Sequence, residues 1–151
     1  MAIIVWKTGT LPEPWSDIPS HYWDGDTIAI GAGPQRRIVR IFGIDAPEWG
    51  QTGAIDAQLA LKSITDGCTV TVSPIEMDRY GRVIARLATS THPDIALHLL
   101  QLGLVWWEYR WAPGALEYRD AQKQARREKL GLWRLTDYGF APWEFRRRRG
   151  F

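Results

Sequence analysis

The sequence is poor in the residues that build disulfide frameworks and zinc sites. It contains one cysteine, Cys68, and three histidines. One cysteine cannot form an intramolecular disulfide, and no Cys and His set has the spacing of a zinc motif. A disulfide scaffold and a zinc ribbon are therefore excluded. Because Cys68 lies inside the apolar run of residues 68–72, we predict that it is a small core residue.

Long hydrophobic runs are also absent. The longest early run, residues 2–6, is too short for the apolar segment of a signal peptide and has no basic stretch before it. No run is long enough to span a membrane as a helix. We therefore expect no membrane partner and, by default, a cytoplasmic monomer, although a processed exported chain would have the same sequence features.

The residues that are present predict one globular domain over residues 1–151. A length of 151 residues suits a single core, and 45% hydrophobic residues with nine tryptophans exclude a disordered chain. Neither an internal repeat nor a low-complexity linker divides the chain.

Charge is distributed unevenly along the chain. Residues 1–109 hold 8 Lys and Arg against 12 Asp and Glu, whereas residues 110–151 hold 11 against 5. Fifteen of the 19 basic residues are arginine, whose planar fork suits phosphate. A polyanionic partner is therefore indicated. For the run Arg146 to Arg149, phosphate contact and a solvated tail are both open interpretations.

The order of patterns predicts an α+β fold. Residues 27–30 and 38–42 alternate around a Gly-rich turn, and residues 69–72 and 82–87 flank the turn at 78–81, so each pair is predicted to form a hairpin. Apolar periodicity predicts helices over residues 52–66, 95–102 and 116–130, the second with Asp94 as its N-cap. Strands, a helix, strands and then helices are typical of an α+β domain.

Acidic residues in the strand-rich half stand where strands begin and end. Asp24 and Asp26 open one strand, and Asp45 and Glu48 follow the next, so a hairpin would bring both groups to the same end of the sheet. Such an oxygen-rich group suits hard cations such as Ca²⁺ and Mg²⁺. Asp-Gly and Asp-Ala-Pro are also turn and strand-end signals, so the acids alone leave a purely structural role open.

Two arginines accompany these acids and favour a catalytic site. Arg40 precedes Asp45 on the same strand, and Arg82 follows the turn of the second hairpin. Phosphodiester hydrolysis needs a metal ion that polarises the phosphoryl oxygens, a carboxylate that activates water, and guanidinium groups that stabilise the negative charge of the transition state. The acids and arginines together supply these parts.

These motifs resemble those of the staphylococcal (micrococcal) nuclease family, the thermonucleases, over about residues 22–133. The resemblance implies a five-stranded OB-like barrel with three helices. It also implies a Ca²⁺-dependent nuclease that cleaves DNA and RNA, prefers single strands and leaves 3′-phosphate ends. The matching charged strings, in family order, are Trp23-Asp24-Gly25-Asp26-Thr27-Ile28, Arg40-Ile41-Phe42-Gly43-Ile44-Asp45-Ala46-Pro47-Glu48 and Asp78-Arg79-Tyr80-Gly81-Arg82.

The same resemblance implies the metal ligands. Asp26 and Asp45 match the carboxylate ligands of Ca²⁺, and Ala46 matches the residue whose backbone carbonyl completes the protein ligands. The family prototype has threonine at the position of Ala46, but a main-chain ligand tolerates that change. Asp24 matches a turn residue or an indirect contact rather than a ligand.

Catalytic and binding roles are implied in the same way. Glu48 matches the proposed general base, and Arg40 and Arg82 match the pair that holds the scissile phosphate and its transition state. Of the aromatic positions, Tyr109 is equally compatible with a place in the core. The predicted nucleic-acid contacts are Arg79, Tyr80, Tyr109 and Trp111. Trp111 departs from the family pattern and is predicted instead because an indole ring can stack on a base of a single strand.

Two rival functions remain at the level of sequence. Some relatives of this fold lack the acids and act as non-catalytic nucleic-acid or protein-interaction modules, but this chain retains both the acids and the arginines. An oligosaccharide-binding OB domain would account for the tryptophans but not for the arginines and acids.

Overall fold

The chain folds as a mixed α+β structure in which a curled sheet forms a half-barrel. A computed structural model describes residues 10–135, 139 and 141–150. The strands are β1 (Trp15–Asp17), β2 (Pro19–Tyr22), β3 (Thr27–Ile30), β4 (Arg37–Ile41), β5 (Ile44–Asp45), β6 (Val70–Met77), β7 (Val83–Ala88) and β8 (Trp106–Trp107). The helices are α1 (Ala54–Thr65), α2 (Ile95–Gln101), α3 (Leu116–Arg127) and α4 (Pro142–Arg148).

The sheet topology brings three strand ends to one place. Six strands lie in the order β1-β6-β7-β4-β3-β2, and β5 pairs separately with β8. Thr27 at the start of β3 pairs with Arg40 near the end of β4, and Arg40 also pairs with Ile84 near the start of β7. The β4–β7 pair is parallel, whereas the other neighbours are antiparallel. This end of the sheet therefore collects the acidic and arginine motifs.

Alternation along the long strands explains which face is buried. In β6, Val70 and Val72 are buried while Thr71 and Ser73 are exposed, and β7 repeats the pattern. Successive side chains of a strand point to opposite faces, so the apolar set of both strands lies on one side. Ala57 and Leu61 of α1, together with residues of α2 and Tyr118 of α3, complete the core against that face.

The α+β class is confirmed, and the element counts differ from the expected barrel. Both hairpins and all three predicted helices are present. The third helix ends earlier than predicted because Lys129 adopts a left-handed φ of 54°. The main sheet has six strands rather than five because the short strands β1 and β2 occupy its two edges. In the described part of the chain, no helix is long and apolar enough to cross a membrane.

The prediction for Cys68 was wrong. Its side chain is exposed, and β6 begins only at Val70. The backbone N–H of Cys68 donates to the carbonyl of Thr65, so the residue belongs to the turn that ends α1. The apolar run was therefore extended too far toward its N-terminal side.

Helix α4 occupies the region that the sequence suggested was a tail. Pro142 lies at the first helical turn, where its missing N–H is tolerated. The indole of Trp143 packs edge-on against Trp106, with ring centroids 5.7 Å apart, and against Tyr109, at 5.8 Å. The Arg110 guanidinium lies 4.7 Å from the centre of the same indole. These contacts hold α4 against the body of the protein. Arg146 is half-buried, so the solvated-tail interpretation fails for that residue, whereas Arg147, Arg148 and Arg149 are exposed as it expects.

The close packing of Gly25 makes a first prediction. A Cβ atom built on Gly25 would lie 2.6 Å from the Cβ of Ala57 and 3.0 Å from that of Ala46. Gly25→Ala is therefore expected to force α1 away from the turn before β3 and to lower the free energy of unfolding by roughly 1–3 kcal/mol. Thermal and urea unfolding would measure this loss. Gly114→Ala is the matched control, because nothing lies within 4 Å of its Cβ, and an equal loss in both variants would contradict the explanation.

Candidate active site

Eight of the ten predicted site residues line one cleft of about 820 Å³ at the shared end of β3, β4 and β7. Ala46 and Tyr109 are the exceptions: Ala46 is buried in the core, and Tyr109 packs beside Trp143. One unpredicted arginine, Arg146 of α4, also lines the cleft. The eight predicted residues are Asp26, Arg40, Asp45, Glu48, Arg79, Tyr80, Arg82 and Trp111.

A tight turn places the first acid. Oδ1 of Asp24 accepts hydrogen bonds from the backbone N–H groups of Asp26 and Thr27, at 2.9 and 2.8 Å. Asp24 therefore shapes the turn, as predicted, and Asp26 faces the second acidic motif. Burial, together with the neighbouring Asp26 carboxylate, raises the pKa of Asp24 to about 8.

Arg40 joins the two acidic motifs from beneath. Its Nη1 donates to the carbonyl oxygens of Ile41 and Ile44, at 2.9 and 2.8 Å. Its Nε lies 3.4 Å from Oδ1 of Asp26, and its Nη2 lies 3.3 Å from Oδ1 of Asp45. The Arg40 side chain is only 17% exposed, so it acts first as an internal clamp that sets the separation of the two carboxylates.

The pKa values of the two clamped acids are shifted in opposite directions. Burial raises the pKa of Asp26, but the Arg40 charge and hydrogen bonds from Asp24, Ala46 and Thr27 outweigh it and hold the pKa below its usual range. The backbone N–H of Ala46 donates to Oδ2 of Asp26 at 2.7 Å. Burial raises the pKa of Asp45 to about 6, although Arg146 and Arg40 oppose the rise.

Arg146 forms a fork on the second acidic motif. Its Nη2 lies 2.7 Å from Oδ2 of Asp45, and its Nη1 lies 3.1 Å from Oδ1 of the same carboxylate. Nη1 also donates to Oε1 of Glu48 at 2.5 Å. Charge-assisted bidentate pairs of this kind are among the stronger hydrogen bonds in proteins. They raise the pKa of the Arg146 guanidinium despite its partial burial.

Arg82 reaches the cleft from the turn between β6 and β7. Oδ1 of Asp78 accepts from the backbone N–H groups of Tyr80 and Arg82, which closes the turn. Oδ2 of Asp78 accepts from Nε of Arg82 at 2.6 Å. Partial burial raises the pKa of Asp78, but the hydrogen bonds and charge of Arg82 have the larger effect. The pKa of Asp78 is therefore below its usual range. The carboxylate thus orients Arg82 through Nε, and no bond to its terminal nitrogens is seen in the described part of the chain.

Two exposed aromatic rings stand at the rim of the cleft. Trp111 is 74% exposed and Tyr80 is 70% exposed, so neither belongs to the core. The guanidinium groups of Arg79 and Arg82 lie 5.0 and 5.6 Å from the centre of the Tyr80 ring. Tyr109 is half exposed and contacts Trp107 as well as Trp143, which supports its packing role more than a place in the cleft.

A family model described as "Staphylococcal nuclease homologue" matches residues 38–135, more than half of the chain. The chain belongs to the staphylococcal nuclease family. The family predicted from the charged motifs is thereby confirmed.

Curated relatives of this nuclease-family chain carry nuclease names. It is 35% identical to the "Micrococcal nuclease" of Shigella flexneri, over 82% of this chain and 76% of that protein. It is 32% identical to an "Uncharacterized endonuclease" of Escherichia coli, over 83% of this chain and 81% of that protein. A "Probable endonuclease LCL3" of Scheffersomyces stipitis is 30% identical, over 73% of this chain and 53% of that protein.

In this family member, Asp26 and Asp45 could hold a hard divalent cation. Both are oxygen donors, both are almost fully buried, and the Arg40 clamp holds them near each other. No group of three or more His, Cys, Asp or Glu side chains in the described part of the chain is arranged to hold a metal ion. Backbone or water oxygens would have to supply the remaining ligands, and the fork of Arg146 would have to leave Asp45.

Arg146 is the site residue that sequence reasoning missed. It lies 101 residues after Asp45 and outside the matched family range. The arginine run was noticed, but nothing in it singled out one member. The usable signal was the helical spacing of Trp143 and Arg146, since residues three apart share a helix face and the tryptophan needs a place to pack.

Proposed function

We propose that this protein is a Ca²⁺-dependent nuclease that hydrolyses phosphodiester bonds of DNA and RNA and prefers single strands. The observation that carries the proposal is the Arg40 clamp on Asp26 and Asp45, with Glu48 and Arg82 facing the same cleft. Membership of a nuclease family supports the reaction class. The metal, the preferred strand and the product ends are proposals made here.

The proposed metal ligands are Asp26, Asp45 and the backbone carbonyl of Ala46. A bound Ca²⁺ would polarise a phosphoryl oxygen and neutralise part of its charge. The buried carboxylates would supply the affinity for Ca²⁺, because a low-dielectric environment strengthens their attraction for a cation. An oxygen-only donor set also suits the flexible coordination of Ca²⁺ better than the strict octahedron of Mg²⁺.

Glu48 is the proposed general base. It lies at the rim of the cleft, about one-third exposed, where water reaches it. In the proposed reaction, Glu48 accepts a proton from water while the water oxygen bonds to phosphorus. The bond from phosphorus to the 5′ oxygen breaks, that oxygen takes a proton from solvent water, and Glu48 then releases its proton to solvent. The products are a 3′-phosphate and a 5′-hydroxyl.

Arg82 is the proposed partner of the transition state. Its Nε is committed to Asp78, which aims the guanidinium into the cleft. The two terminal nitrogens can then donate to phosphate oxygens, whose charge grows as the bond to water forms. Arg40 adds a second positive charge to the site. Its own contacts go to Asp26 and Asp45, so its main role is to hold these carboxylates in place.

The exposed rim accounts for the proposed preference for single strands. Tyr80 and Trp111 offer ring faces to unstacked bases, and stacking of this kind contributes ~1–3 kcal/mol per base. Arg79, beside Tyr80, would add phosphate contact. A base-paired duplex hides its ring faces, so it would gain none of this energy without fraying.

The metal dependence gives the test of the proposal. The full chain would be incubated with labelled single-stranded DNA and RNA in Ca²⁺, in Mg²⁺ or in excess chelator. Cleavage is expected in Ca²⁺, weak or absent in Mg²⁺, and absent with chelator. Labelled fragments should change mobility after phosphatase treatment if their 3′ ends carry phosphate.

Two results would contradict the proposal in different ways. Full activity in chelator would remove the metal from the mechanism but leave a nuclease. Binding of DNA in Ca²⁺ without any cleavage would favour a non-catalytic binding module, which the Arg146 fork on Glu48 makes physically reasonable.

A further inference from the structure

Arg146 donates hydrogen bonds to Asp45 and Glu48, to which the proposed function assigns other roles. It covers both carboxylate oxygens of Asp45, the proposed metal ligand, and one oxygen of Glu48, the proposed base. A cation that approaches Asp45 from the cleft therefore meets a positive charge already in place. This observation lies outside the matched family range, because α4 begins at Pro142.

The charge of the site is consistent with such a competition. Asp26, Asp45 and Glu48 carry three negative charges when ionised, and the Arg40 clamp supplies one positive charge. Without Arg146 this group would have two unbalanced negative charges, which matches a divalent cation. With Arg146 in place only one remains, so the guanidinium supplies half of the charge that a dication would bring.

The packing of Trp143 fixes helix α4, and therefore the backbone of Arg146, next to the cleft. Trp143, one helical turn before Arg146, packs on Trp106 and Tyr109 and under the Arg110 guanidinium. The Arg146 side chain itself is 32% exposed, so its outer face borders solvent. The contacts that dock the helix through Trp143 do not involve the Arg146 side chain.

We propose that Arg146 is a positioning residue that competes with the divalent cation: its guanidinium holds Asp45 and Glu48 in the metal-free protein and leaves Asp45 when the cation binds. The inference rests on the proposed function for the metal itself. Arg146 thereby sets the cation concentration at which the site fills. It also keeps the buried Asp45 paired in the absence of metal.

Calcium titration of the full chain by isothermal calorimetry, without nucleic acid, tests this inference. Arg146→Gln is expected to tighten Ca²⁺ binding by at least about tenfold, because a positive charge beside the cation is removed. Arg146→Lys keeps the charge and should restore binding close to that of the natural chain. Arg147→Gln is the matched control, since it removes the same charge from an exposed position on the same helix.

Unfolding curves of the metal-free variants provide a second measurement. Arg146→Gln should lower the melting temperature without Ca²⁺ and recover it with saturating Ca²⁺, because the cation takes over the pairing of Asp45. Should the glutamine variant fail to fold, Arg146→Met, which keeps an apolar stem of similar length, takes its place in both measurements.

Several outcomes would overturn the inference. Unchanged or weaker Ca²⁺ binding in Arg146→Gln, while the natural chain still cleaves DNA only with Ca²⁺, would refute the competition and leave the proposed function standing. An equal gain in Ca²⁺ affinity in Arg147→Gln would show that the effect comes from the overall charge of the protein and not from the contacts of Arg146. Absence of Ca²⁺ binding and of cleavage in every form of the protein would refute the proposed function and the competition together.

Discussion

Glu48→Gln is expected to lower the turnover of DNA cleavage by at least about 100-fold, because a positioned acid–base group contributes ~10²–10⁴-fold. Glutamine retains the shape of the side chain and can still accept a hydrogen bond from Arg146, but it cannot take a proton from water. Folding should therefore change little, and the comparison is made at saturating Ca²⁺ because the substitution also removes one negative charge from the site. Single-turnover cleavage of a labelled oligonucleotide would measure the loss.

Glu76→Gln is the matched control for this substitution. Glu76 lines the same cleft but is exposed on β6, away from the Arg146 fork. Its loss of charge reproduces the general electrostatic effect on a polyanionic substrate. If both variants cleave at the rate of the natural chain, Glu48 is not the general base. An equal loss of rate in both would attribute the effect to general charge.

Arg82→Ala is expected to reduce turnover by about 10²–10³-fold through the loss of a charge-stabilising donor. The effect should fall mainly on the chemical step and not on ground-state binding, since the phosphate charge grows in the transition state. Asp78 keeps the two backbone hydrogen bonds that close the turn when Arg82 is removed, so the melting temperature should fall only slightly. Steady-state kinetics and a melting curve would separate the two effects.

Two further variants sharpen this expectation. Arg82→Lys retains the charge but loses the planar fork, so it should recover only part of the rate. Arg119→Ala removes an arginine from the exposed face of α3, where it pairs with Asp120, and should leave turnover near normal. A similar loss in Arg119→Ala would attribute the effect to overall charge rather than to the cleft.

Local patterns predicted most of the fold because local forces determine most of it. The turn at Asp78 and the N-cap at Asp94 depend on side chains that bond to backbone only a few residues away. The edge strands β1 and β2 were not predicted, since three or four residues without strong alternation have no distinct sequence signal. Helix α4 was missed because its stability comes from the packing of Trp143 on distant residues.

The site was predictable to the extent that its motifs are contiguous. Asp26, Asp45 and Arg82 each lie in a short motif beside a turn or strand end, and the hairpin register brings the motifs together. The engagement of Arg40 with backbone carbonyls was not predictable, because it depends on the path of the chain after β4. The spacing of Trp143 and Arg146 indicates a shared helix face, but it does not identify the partners of Arg146, which are about one hundred residues away in sequence.

The parallel pairing of β4 with β7 has a consequence for how activity is gained during folding. Each flanking hairpin contains one of the two arginines and can form from neighbouring residues, but the β4–β7 pair must close the intervening chain that carries α1. Closure of such a loop is entropically costly and is repaid only when the long-range contacts form. Arg40 and Arg82 therefore come to share a cleft only at that step. A chain that has formed both hairpins and not yet joined them would have much of its secondary structure and no competence to cleave, so recovery of cleavage during refolding would lag behind recovery of the strand signal.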